Sequence, residues 1–192
     1  MLKYLVLVGA VVQLIGISYY IKETLRGHTK PNKVTWLLWT IAPMIGTLAA
    51  LSNGVTWAVI PTFIAGFGPL LVFIASFINR NAYWKLEKFD YLCGLFSVLA
   101  LVLWAITKEP LVAIMLAIVS DGFAAIPTLI KSWKYPETET ISPYVAGLFS
   151  SLTSFFAITT WQASAYSFPF YLVIMNILLI TSLTKHKFKK SL

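Results

Sequence analysis

PLVAIMLAIVSDGFAAIPTLI, residues 110–130, is a run of twenty-one residues that is apolar almost throughout and carries Asp121 near its centre. A helix of about 20 residues, rising about 1.5 Å per residue, crosses the roughly 30 Å of hydrocarbon in a bilayer, so this run reads as a membrane span. A charged side chain at that depth costs on the order of 2.5–3.5 kcal/mol, which is sustained only with a partner or a task. Pro127, six residues on, removes one backbone hydrogen bond and bends the helix. A buried acid beside a bend points to a transported solute or a proton. The alternative for Asp121 is a hydrogen bond to a neighbouring helix that fixes packing.

The rest of the chain resembles this run. Of 192 residues, 58% are hydrophobic and 11% charged, with a mean hydropathy of +0.79. Soluble domains carry roughly 25% charged residues, so a polytopic membrane protein is expected. The net charge of +8 does not imply a nucleic-acid partner, because the basic residues fall in short connections between apolar runs. The single cysteine, Cys93, reads as a buried free thiol, and His28 and His186 are far apart in sequence. No metal site, cofactor or enzyme activity is expected: there is no G-x-S-x-G, H-E-x-x-H, phosphate-cradling glycine loop or carboxylate pair.

Seven runs are long enough to span: 4–21, 34–52, 55–78, 89–107, 110–130, 142–160 and 163–184. The first has its basic cluster behind it rather than in front, unlike a secretory signal, and is expected to be retained. Thirteen of the fifteen Lys and Arg fall in the 1–2, 3–4 and 5–6 connections and the C-terminal tail, against Lys3 and Lys108 on the other side. All fifteen sit at span ends or in connections. The positive-inside rule then places the N-terminus outside and the KHKFKK tail in the cytoplasm. Glu137 and Glu139, in the 5–6 connection, are expected to be solvated.

Connection lengths divide the chain. Spans 2 and 3 are joined by Ser52-Asn53-Gly54 and spans 6 and 7 by a turn near Trp161-Gln162, whereas the 1–2 and 5–6 connections are longer, basic and proline-containing. Ile21-Lys22 matches Ile130-Lys131, Thr35 matches Ser142 and Pro61 matches Pro169, at separations of 107–109. The expected architecture is all-α with seven transmembrane helices in a 3+1+3 parallel repeat: 1–81, a linker helix within 82–109, and 110–192.

Further polar and broken positions mark candidate sites. Asn176 stands alone among aliphatics in LVIMNILLI, and its counterpart under the repeat lies near Gly68, in a Gly66-Phe67-Gly68-Pro69 break. It serves either solute contact or interhelical bonding. Trp36, Thr40, Pro43 and Thr47 share one helical stripe with Trp39 beside it, lining a vestibule or forming an interfacial aromatic belt. Gly147, Ser150, Ser151 and Ser154 read mainly as close helix packing. Gln13, between Gly9 and Gly16, is a further pore candidate. Pro43, Pro69 and Pro127 are candidate hinges.

The layout resembles the PQ-loop and SWEET superfamily. The motif lies in Pro127-Thr128-Leu129-Ile130-Lys131-Ser132 followed by Glu137-Thr138-Glu139-Thr140-Ile141-Ser142, with Thr128 where the family has Gln. In the first half Ser18-Tyr19 stands in place of the pair, with Gly27-His28-Thr29-Lys30 and Val34-Thr35-Trp36 downstream. The resemblance implies two three-helix bundles around a central solute site, rocking about proline bends. Sugar-carrying members contact solute through Asn in the third and seventh helices, of which Asn176 matches and Gly68 does not. Lysosomal amino-acid exporters of the superfamily use membrane carboxylates for protons, a part Asp121 would take.

The expected function is a carrier of a small polar or zwitterionic solute, proton-coupled through Asp121, in a bacterial inner membrane. Its solute would meet Asp121, Asn176, Gln13, Trp36, Trp39 and Thr40. The alternative is a non-transporting receptor or assembly factor on the same fold.

Overall fold

The computed structural model describes residues 4–52, 60–107, 110–158, 161 and 163–189. Lys3, Asn53, Gly54, Lys108, Gln162, the end of the basic tail and the side chain of Pro61 lie outside the described residues. The described chain is all-α and contains no strand. Its helices are α1 (Leu5–Leu25), α2 (Lys33–Ser52), α3 (Ile60–Ile78), α4 (Lys88–Ile106), α5 (Pro110–Lys134), α6 (Ser142–Ser154) and α7 (Ala163–Lys189). Each falls on one of the seven apolar runs.

Four stretches are long and apolar enough to cross a membrane: Leu5–Leu25, Lys88–Ile106, Ile114–Lys134 and Tyr166–Lys185. Their polarity is inverted relative to a soluble protein, which marks the chain as membrane-embedded. On α4, Leu92, Leu95, Leu99, Val102 and Ile106 face outward, while Asp90, Cys93, Gly94, Ser97 and Ala100 are buried. Elsewhere Thr24, Asn32, Thr35, Ser120 and Thr128 are buried, while Ile15 and Leu48 are exposed. An exposed apolar face this continuous has lipid as its natural contact.

Two runs depart from expectation. The α-helix of span 6 ends at Ser154, with a 3-10 turn over Phe155–Ala157 rather than helix to 160. The hydroxyls of Ser151, Thr153 and Ser154 donate back to the carbonyls of Gly147 and Ser150, a local competition that loosens a helix. Span 3 has no break: α3 continues through Gly66, Gly68 and Pro69 as one helix. Gly66 lies against Met44 and Gly68 against Ile17, so these glycines serve close approach of α2 and α1.

The packing order is the same in the two halves. α3 packs against both α1 and α2, and α7 against both α5 and α6. Between the halves α1 packs on α6 and α2 on α5, while α4 covers α5 and touches α2. One core cluster gathers Ile17, Tyr20, Trp36 and Val72, and a second gathers Tyr144, Leu179 and Leu183; Trp39 packs against both.

The α1–α6 contact is made close by glycine. A Cβ on Gly16 would lie 2.7 Å from the carbonyl oxygen of Ser142, whose own hydroxyl donates to Gly16 O at 2.8 Å. Gly16→Ala is therefore expected to force the helices apart and destabilise the protein by about 1–3 kcal/mol, read as a lower melting temperature in detergent. An unchanged melting temperature would contradict this packing.

Candidate functional site

The connections after α1, α3 and α5 meet at one end of the bundle, the end rich in Lys and Arg. Lys30 N–H donates to Thr138 O at 2.9 Å, Asn79 Nδ2 donates to Leu25 O at 2.7 Å, and the rings of Trp84 and Tyr135 lie 5.6 Å apart. From a floor of Ile17, Trp36 and Tyr144 near this end, a cavity of about 460 Å³ runs toward the other. There its wall includes Val6, Thr62, Trp104, Ile114, Ser154 and Phe168. All seven helices contribute to it.

Asp121 on α5 lines the cavity, and its Oδ2 accepts a 2.7 Å hydrogen bond from the Tyr171 hydroxyl of α7. The indole N–H of Trp39 approaches the same carboxylate without reaching hydrogen-bond geometry. One position before Asp121, Ser120 bonds Ser97 on α4 at 3.0 Å, which fixes the rotation of α5 and so the direction of the acid. The small residues around Asp121 thus admit both a neighbouring helix and open space.

Asn176 on α7 also lines the cavity. Its Nδ2 donates to Leu172 O, one turn back, at 2.8 Å. A Cβ on Gly147 would lie 2.7 Å from Asn176 Oδ1, so it is Gly147 of α6, and not Gly68, that makes room for the amide. Gly147, Ser150, Ser151 and Ser154 line the cavity as well as packing α6.

Gln13, Trp36, Trp39, Asp121 and Asn176 are brought together on the wall, with Pro43 and Pro69. Trp36 is only 2% exposed, with Tyr20 at 4.8 Å and Trp39 at 5.3 Å between ring centroids, so it is no interfacial belt. Its indole N–H and that of Trp39 are buried without hydrogen-bond partners. Thr40 does not line the cavity: it is buried with its hydroxyl turned onto Trp36 O of its own helix. Pro127 also lies off the wall, in a small pocket at the basic end with Asp90 and Lys131.

Below the floor, polar groups bind the two halves together. Thr128, at the motif position, donates to Thr35 Oγ1 at 2.9 Å, and Thr35 donates to Ala124 O at 2.7 Å, joining α5 to α2 beside Pro127. Asn32 caps α2 through Oδ1 and donates from Nδ2 to Asp90 of α4 at 2.9 Å. The Thr29 and Thr140 hydroxyls are hydrogen-bonded to each other across the two long connections.

Two expectations fail here. Lys131 is inside α5, which runs a turn beyond Ile130, and is buried; Glu139 is buried rather than solvated. They form an ion pair, with Lys131 also donating to Lys30 O and Glu139 accepting from the Tyr144 hydroxyl at 3.0 Å. Sequence reading missed this pair because its members come together only when the connection folds back. A lysine one turn after a helix-bending proline was the signal present.

Comparison with protein-family models, curated proteins and solved structures finds no match.

Removing one member of a buried ion pair strands the other charge, at about 3–5 kcal/mol, whereas removing both is far milder. Lys131→Met and Glu139→Gln are each expected to lower the melting temperature sharply, and the double variant to recover most of the loss. Equal loss in the double variant would contradict a paired, buried geometry.

Proposed function

We propose that the protein is a membrane carrier for a small polar solute, zwitterions included, working by alternating access and linked to protons through Asp121. In this reading all seven helices span a bacterial inner membrane, N-terminus out and C-terminus in. The two halves are parallel three-helix repeats joined by α4, on the plan of the PQ-loop and SWEET superfamily.

The observation that carries the reading is the placement of the cavity. It lies between two halves of like packing order, holds one carboxylate, and is floored by bonds that run from one half to the other. A rigid receptor has no use for an acid in a cavity above a floor of separable contacts. A carrier does: breaking the seam at the basic end while closing the far end would present Asp121 to the second side. Pro43 and Pro69 sit on the wall and Pro127 beside the seam, where bends would let the halves rock. Nine basic residues in or beside the three connections at the floor end favour placing that end in the cytoplasm.

Alternating access is testable without knowing the solute. Ala117 lines the cavity, so Ala117→Cys in a Cys93→Ala background is expected to react with a membrane-impermeant maleimide applied from either side. Labelling from one side alone would favour a static receptor. For orientation, a reporter fused after Leu192 is expected to be active in the cytoplasm, and periplasmic activity would overturn the topology.

A further inference from the structure

We infer that the solute is an organic cation, a protonated or quaternary amine with an apolar body, and that it exchanges with a proton at Asp121. The inference rests on the carrier reading and narrows its solute. Four observations carry it. First, Asp121 is the one acidic residue on the cavity wall, and no Lys, Arg or His lines that wall among the described residues. Second, every element packed on α5 presents Asp121 with a neutral group or none: Tyr171 from α7, the Trp39 indole from α2, and Ser97 from α4 against the adjacent Ser120. The basic side chain of α5 nearest the cavity floor, Lys131, is committed to Glu139.

Third, Asp121 lines the cavity and Tyr171 bonds Oδ2 alone, so the carboxylate keeps acceptor capacity beyond that bond. Fourth, the wall is mainly aromatic and aliphatic and includes Trp39, Trp104 and Phe168, of ring types whose faces favour a cation. The unpartnered N–H groups of Trp36 and Trp39 would in addition take a neutral acceptor such as a hydroxyl.

Charge then decides the class. A monocation neutralises the site, a sugar or zwitterion leaves the carboxylate uncompensated, and an anion doubles the charge in low dielectric. The carboxylic acid and the amine cation give the carboxylate–cation pair and one free proton, with no other species needed. A carboxylate so placed holds the proton or the cation but not both. Such competition couples their movement in opposite directions.

The test is a thermal-shift and proton-release series on the purified full-length protein at pH 5 to 8. The probes are choline and 2-phenylethylammonium chlorides, compared with glycine betaine, glucose and sodium chloride. Choline and glycine betaine share the trimethylammonium head and differ in the carboxylate. Both cations are expected to raise the melting temperature while betaine, glucose and sodium do not. Their apparent Kd is expected to weaken up to about tenfold per pH unit toward acid, with up to one proton released per cation bound.

Asp121→Asn is expected to lose both binding and release. If that variant does not fold, the wild-type series still decides, because pH-independent choline binding overturns the inference. Stabilisation by betaine or glucose but not by the cations overturns the solute class and leaves a carrier standing. Stabilisation by sodium chloride alone overturns it in favour of an inorganic ion. No stabilisation by any probe also overturns it, and with one-sided Ala117→Cys labelling the carrier reading falls too.

Discussion

Hydrocarbon offers no hydrogen-bond partner, and nearly every polar side chain in this bundle is placed to meet that constraint. Thr35, Thr128, Ser97, Ser120 and Asn32 all turn inward and bond across helix seams, and the outward faces of α1 and α4 are left mainly to leucine, valine, isoleucine and aromatic side chains. Because each bond joins two particular helices, polarity fixes who packs on whom. Apolar faces alone would not, since lipid tails are as good a neighbour for leucine as another helix is.

The bonds are unevenly distributed along the bundle axis. At the basic end they are many and link the halves: Lys131, itself paired with Glu139, with Lys30 O, Thr29 with Thr140, and Thr128 with Thr35. Around the cavity they are few and run within a helix or to a single neighbour, as with Asn176 to Leu172 O and Asp121 to Tyr171. The result is a floor closed by bonds between the halves under a loosely satisfied chamber. Unused capacity on Asp121, Trp36 and Trp39 is what a solute would complete.

Helix positions were legible in the sequence because the apolar runs are long and bounded by polar connections, and each of the seven runs contains one helix among the described residues. Their ends were less legible. Lys22 and Glu23 in α1, and Lys131 and Lys134 in α5, are polar yet helical, since a helix does not stop where the membrane does. Asp121, Asn176 and Gln13 were legible as polar residues with no reason to be in apolar runs. Tyr171 and Glu139 were not, because their roles depend on partners 50 and 8 residues away that only tertiary structure supplies. The stripe of Trp36, Thr40 and Pro43 had the right period, but a threonine hydroxyl can satisfy itself on its own helix, and Thr40 does.

The claim that the floor is a seam that opens is tested most directly by a distance across it. His28, in the connection after α1, and Glu137, in the turn after α5, are both exposed. Spin labels at these two positions, with Cys93→Ala, would report their separation in lipid nanodiscs. Two populations are expected, one matching the closed seam and one longer, with weights that change between pH 8 and pH 5. A single separation, unchanged with pH, would contradict the account.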